Sequence, residues 1–151
     1  MFNRILVPLD GSELAERALR PAFEMAEKFS SAVVLLRVVG PEEVPVVALP
    51  GMGGLYYDLQ QADDRRAHEE ATGYLYSQRT QWLGLVQSVQ TEVIVGFPAE
   101  AILEVAQAKP IDLIVMSTHG RSGLSRLLYG SVAEGVLHGA QVPVLLIPSK
   151  T

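Results

Sequence analysis

Cysteine is missing from this chain of 151 residues, so neither a disulfide framework nor a thiolate metal site is available to it. No apolar run approaches the roughly 20 residues that a membrane-spanning helix needs. The opening Met1-Phe2-Asn3-Arg4 leads into an apolar stretch too short for a signal peptide, with no small-residue cleavage site behind it. These absences imply a cytoplasmic protein with no membrane contact. Positive charge is also scarce: 12 lysines and arginines stand against 17 acidic residues, a net charge of −5. A nucleic-acid surface would need a basic stripe, and this balance argues against one. No internal repeat or low-complexity tract interrupts the sequence. What is there is a globular balance, 48% hydrophobic and 19% charged. The length suits a single domain over residues 1–151 with a real core.

Five short apolar runs stand out: Ile5-Leu6-Val7, Val33-Val34-Leu35-Leu36, Val93-Ile94-Val95, Leu113-Ile114-Val115-Met116 and Val144-Leu145-Leu146-Ile147. Runs without polar alternation are what strands buried on both faces look like. Helical patterns lie between them. Ala15, Ala18, Leu19, Ala22, Ala26 and Phe29 fall on one helix face, and Pro21 inside that stretch predicts a kink, because it leaves the carbonyl of Arg17 without its donor. Ala67, Ala71, Tyr74, Leu75, Gln78 and Trp82 trace a second helix. Pro98 at a first helical position opens a third, carrying Ile102, Leu103 and Ala106. Ser131-Val132-Ala133-Glu134 reads as a capping box opening the last. The order β-α-β-α-β-α-β-α-β predicts an α/β fold: a doubly wound, parallel, five-stranded sheet with helices on both faces. The stretch from Gly40 to Tyr57, rich in proline and glycine yet also apolar, reads as a long loop, either a flap over a ligand or a mobile connector.

In such a sheet, ligands bind beyond the carboxyl ends of the strands, where strand order reverses. Val7-Pro8-Leu9-Asp10-Gly11-Ser12 leaves the first strand and enters the first helix. Asp10 there suits a ribose or adenine contact, or a metal held on a phosphate, and equally a plain helix-start role. Met116 to Val132 leaves the fourth strand through a small, polar loop and re-enters a helix at Gly130-Ser131. Bare amides at a helix start form a natural phosphate cradle. Gly120, Gly123 and Gly130 permit close approach and positive φ. Arg121 and Arg126 supply charge, and the Ser131 hydroxyl can donate to a phosphate oxygen.

These residues resemble the universal stress protein family along essentially the whole chain. Ile5 to Ser12 is similar to the family's opening strand and turn, and Gly96-Phe97-Pro98-Ala99-Glu100-Ala101-Ile102 to its turn into the third helix. The signature of its ATP-binding members, Gly-x2-Gly-x9-Gly-Ser/Thr, falls here on Ser117, Gly120, Gly130 and Ser131, with serine in place of the first glycine. The resemblance implies a Rossmann-like fold of the adenine nucleotide alpha hydrolase type. It also implies ATP as the ligand, with magnesium or manganese, Asp10 being the one candidate metal contact through a phosphate-bound ion. Pro8, Leu9 and Asp10 would line the adenosine pocket, and Val38 would meet adenine through its backbone. Met116 and Ser117 would flank the ribose, while Gly120, Arg121, Gly130, Ser131 and Val132 would hold phosphates. If the position of Ser117 requires positive φ, serine there costs about 1–2 kcal/mol. The resemblance further implies a homodimer joined through the last strand, Val142 to Pro148. That segment also suits an edge blunted by Pro143 and Pro148.

Other chemistry is thin. His68, His119 and His138 show no metal-ligand spacing. There is no Walker lysine motif, no complete dinucleotide fingerprint around Gly51 and Gly53, and no nucleophile elbow. No catalytic residue is assigned. Three readings stay open: an ATP-binding regulatory protein of stress tolerance with at most slow hydrolysis, a substrate-adenylating enzyme of a related fold, and a nucleotide-free dimeric interaction protein.

Overall fold

A computed structural model describes residues 1–40, 50–119 and 130–148. Within it the five apolar runs become five strands: β1 (Arg4–Leu9), β2 (Ala32–Val39), β3 (Val89–Val95), β4 (Leu113–Ser117) and β5 (Val144–Ile147). They form one sheet in the order β3-β2-β1-β4-β5, and every neighbouring pair is parallel. Neighbours inside each run go to opposite faces, which is why the runs lack polar alternation. Ile5, Val7, Leu9, Val33, Leu35, Leu113 and Val115 join one core, while Leu6, Val34, Leu36, Ile114 and Met116 join the other. The helices α1 (Glu13–Glu16), α2 (Leu19–Phe29) and α3 (Gly53–Trp82) cover the first face, contributing Ala15, Phe23 and Leu75 to its core. The helices α4 (Pro98–Ala108) and α5 (Ser131–Gly139) cover the second with Ile102, Val105, Ala133 and Val136. The doubly wound architecture follows.

Four local expectations are refined. The kink foreseen at Pro21 takes the form of an interruption four residues earlier: α1 ends at Glu16 and α2 restarts at Leu19, with Arg17 and Ala18 between them still in helical backbone. The missing N–H of Pro21 falls in the first turn of α2, where intrahelical acceptors are absent anyway. Phe29, placed on the buried face from its spacing, is 39% exposed, and Phe23 is the buried aromatic of α2. Phe23 stacks on Trp82 with ring centroids 4.7 Å apart. The long loop is shorter than its composition suggested, because Gly53 to Tyr57 belong to α3; residues 41–49 lie outside the described residues. Helix cooperativity over 30 residues overrides the roughly 1 kcal/mol that each glycine costs. The capping box also gives way. Gly130 is the N-cap of α5, so Ser131 is already the first helical residue, with no side-chain capping bond at that end. Pro98 does open α4, after Phe97 as N-cap.

Candidate functional site

From β1 the chain winds outward through β2 to β3, then returns to place β4 on the opposite side of β1. The crossovers diverge between β1 and β4, and a crevice opens beyond their carboxyl ends. A cavity of about 620 Å³ lies there, within the roughly 300–1,000 Å³ usual for small-molecule sites. Pro8, Leu9 and Asp10 line it from the end of β1, Val38 from β2, Met116 and Ser117 from β4, and Gly130, Ser131 and Val132 from the start of α5. Nine residues proposed from the sequence therefore share one cavity. Gly120 and Arg121, with Gly123 and Arg126, lie outside the described residues.

Each wall has a local cause. Asp10 accepts hydrogen bonds from the Ser12 amide (2.9 Å) and the Ser12 hydroxyl (2.5 Å). Ser12 is the N-cap of α1, and its Oγ in turn accepts from the amide of Ala15 at 3.1 Å. Asp10 thus orders the capping residue rather than capping the helix itself. Gly11, at φ 84°, makes the turn that lets the carboxylate fold back over Ser12, in a region that side chains disfavour.

Ser117 sits in β4, 6% exposed, and the only non-glycine positive-φ residues among those described are Ser30 and Pro110. The position does not demand positive φ, so the serine carries no such strain. Its Oγ donates to the His119 carbonyl at 2.9 Å, pinning the chain where it leaves the strand. Gly130 is likewise in ordinary backbone, at φ −66°. What it needs is space, since a Cβ there would lie 3.0 Å from the Thr118 carbonyl oxygen. The Gly130 amide already donates to that oxygen at 2.6 Å, so the donors that the start of α5 can offer the cavity are the amides that follow it, from Ser131 on. Those first amides have no intrahelical acceptor and stand at the positive end of the helix dipole.

Sequence reasoning passed over Arg37, Ala67, Glu70, Thr118 and Ala133, all of which line the cavity. Arg37 carried a signal, as a cation ending an apolar run. Glu70 did not, because a charged residue on a helix reads as solvated. The Arg37 guanidinium lies 5.5 Å from the centre of the Tyr74 ring, and the Tyr74 hydroxyl donates to Glu16 Oε1 at 2.7 Å. Burial, then the Glu16 bond, pushes the Tyr74 phenol above its ordinary value. His119 also lines the cavity, with its Nδ1 3.2 Å from the Thr118 hydroxyl.

Comparison with known proteins follows the same outline. The model of the universal stress protein family matches residues 1–148. A universal stress protein of Methanocaldococcus jannaschii is 35% identical over 147 residues, covering 97% of this chain and 82% of the relative. The solved structure of a second protein of that family from the same organism superposes with a TM-score of 0.83 at 27% identity, covering 100% of this chain and 99% of the other. Two more distant structures share the fold. One is a universal stress protein in complex with cAMP, with a TM-score of 0.62 at 22% identity and coverage of 99% and 98%. The other is a universal stress protein of Archaeoglobus fulgidus in complex with dAMP, with a TM-score of 0.59 at 21% identity and coverage of 97% and 98%.

Proposed function

The chain belongs to the universal stress protein family, and from that premise we propose that it is an ATP-binding regulatory protein of stress tolerance, acting in the cytoplasm as a homodimer. The observation that carries the reading is the cavity at the β1–β4 switch, with the helix start of α5 at one wall and the backbone after β2 at another. Two such walls suit a ligand that presents a base to one and phosphates to the other. Adenine lies against the backbone at Val38, the ribose beside Asp10, Met116 and Ser117, and the phosphates on the amides of Ser131 and Val132. Gly120 and Arg121, which the family resemblance assigns to the phosphates, lie outside the described residues. A magnesium or manganese ion would ride on the phosphates, with Asp10 as its protein contact. That the same fold holds cAMP and dAMP in two other proteins supports an adenine nucleotide. Ser117 occupies ordinary strand backbone and carries no positive-φ strain, which supports reading the serine as tolerated in the signature.

Catalysis is the lesser part of this reading. Fast phosphoryl transfer needs a positioned water and a clamp of charge on the leaving oxygen, and this sequence carries no Walker lysine. Single-turnover hydrolysis is expected below about 0.01 per second, against roughly 1 per second and above for ordinary enzymes.

Calorimetry with ATP and GTP tests the placement of the base. Exchanging an amino group for a carbonyl against fixed backbone leaves a buried polar group unpaired, so ATP is expected to bind about five- to a hundredfold more tightly. Equal affinities would overturn it.

A further inference from the structure

The hydrogen bonds around Asp10 do not stop at the cavity. Asp10 holds Ser12, Ser12 caps α1, and α1 ends on Glu16, whose Oε1 accepts from the Tyr74 hydroxyl at 2.7 Å and from Gln78 Nε2 at 3.3 Å. α1 is only four residues long and passes into α2 through a tighter turn at Arg17 and Ala18, both in helical backbone. One turn of helix has no stability of its own, so its pose depends on what holds its two ends. Those holds are Ser12 on the cavity side and, at the other end, the Glu16 clamp on α3 together with the turn into α2, while Ala15 between them packs into the core.

The far partner is equally specific. Tyr74 stands between two routes to the cavity, bonded to Glu16 on one side and lying under the cavity-lining Arg37 on the other. Along α3, Ala67 and Glu70 line the cavity, and Ala71, Tyr74, Leu75 and Gln78 continue the same face inward, with Ala71, Leu75 and Gln78 buried. Among the described residues, the other end of α3 shows no such packing. At 30 residues the helix is about 45 Å long, about twice the length of the strands it covers. Its first half carries Leu55, Tyr57 and Leu59, each more than half exposed.

Resting on the nucleotide reading above, we infer that Tyr74, held by Glu16, is a positioning residue for the Asp10–Ser12 turn, and that it couples occupancy of the cavity to α3. A ligand that fixes Asp10 fixes Ser12 and α1, and through Glu16 it restricts α3. α3 is then the element that reports occupancy, with its exposed half as the part able to display it.

Hydrogen exchange and calorimetry with ATP test this on the full chain, wild type beside Tyr74→Phe, Glu16→Gln and Glu16→Ala. The readout is the segment 72–82, beyond the cavity-lining Ala67 and Glu70. In wild type, ATP should slow exchange both at the β1–α1 turn and across 72–82. Tyr74→Phe keeps the ring packing but loses the bond. It should bind ATP about three- to tenfold more weakly, and at saturation protect the turn but not 72–82. Glu16→Gln keeps an acceptor oxygen and should behave like wild type, whereas Glu16→Ala should match Tyr74→Phe. Full protection of 72–82 in saturated Tyr74→Phe overturns the coupling, even if that variant melts lower, since only packing would then be at stake. Wild type that binds ATP without protecting 72–82 overturns the coupling alone. Wild type that binds no adenine nucleotide overturns the nucleotide reading and the coupling with it.

Discussion

Gly130 is required for the space around it. A methyl group there would press on the Thr118 carbonyl oxygen at 3.0 Å and on His119 Cα at 3.4 Å, both backbone atoms that cannot rotate away. Either the exit of β4 or the start of α5 has to shift. Gly130→Ala is therefore expected to weaken ATP binding at least about tenfold, with a stability loss of about 1–3 kcal/mol from overpacking. Calorimetry beside a thermal melt separates the two effects, and unchanged affinity would move the phosphate site elsewhere. Ser117 teaches the complementary lesson. Its place in the glycine signature raised the question of strain, and that question turns on a single φ angle that the residue type does not reveal.

Between elements, the start of α5 is set by how closely the helix lies on α4. Gly135 and Gly139 stand one turn apart on α5, where added Cβ atoms would meet Ala99 and Leu103 of α4. The two sites differ in what can yield. At Gly135 the new Cβ would sit 2.8 Å from the Ala99 Cβ, which is fixed to its backbone. At Gly139 it would meet the free end of a leucine. Alanine gains about 1 kcal/mol of helix propensity over glycine, while overpacking costs about 1–3 kcal/mol. Gly135→Ala should thus lose up to about 2 kcal/mol and lower the melting temperature by a few degrees, and Gly139→Ala should be close to neutral. Thermal unfolding of both variants checks the contrast. Equal melting points would mean that α4 yields as easily at Ala99 as at Leu103.

For the molecule as a whole, the sheet order leaves β5 at one edge, with Val144, Leu145, Leu146 and Ile147 each only half-buried. An apolar edge strand with free backbone groups invites pairing with another chain. Sedimentation equilibrium at micromolar concentration is expected to give twice the 16.4 kDa mass of the chain. A monomer there would rule out the pairing and leave β5 as an edge blunted by its flanking prolines.

The sequence by itself determined the elements, and it named residues that the fold gathers on one cavity. Unbroken apolar runs marked four strands, because both faces of this sheet are covered, and only the last three residues of the edge strand β3, whose first half carries Gln90, Thr91 and Glu92. Pro98 marked a helix start, Pro21 a kink that the structure shows as an interruption between α1 and α2, and nine residues named for the site line the cavity. These signals are local, written in periodicity, backbone freedom and the loss of an N–H. Tertiary structure alone decided the rest. The order β3-β2-β1-β4-β5 puts Asp10 within one cavity of Met116 and Gly130, residues far apart along the chain. It gives Glu70 a cavity-facing place that its own neighbours in sequence do not hint at. It also joins Glu16 to Tyr74 across 58 positions. Such pairings depend on which crossover turns which way and on how deeply each helix seats. Those choices belong to packing between distant segments, and no window along the chain contains both partners.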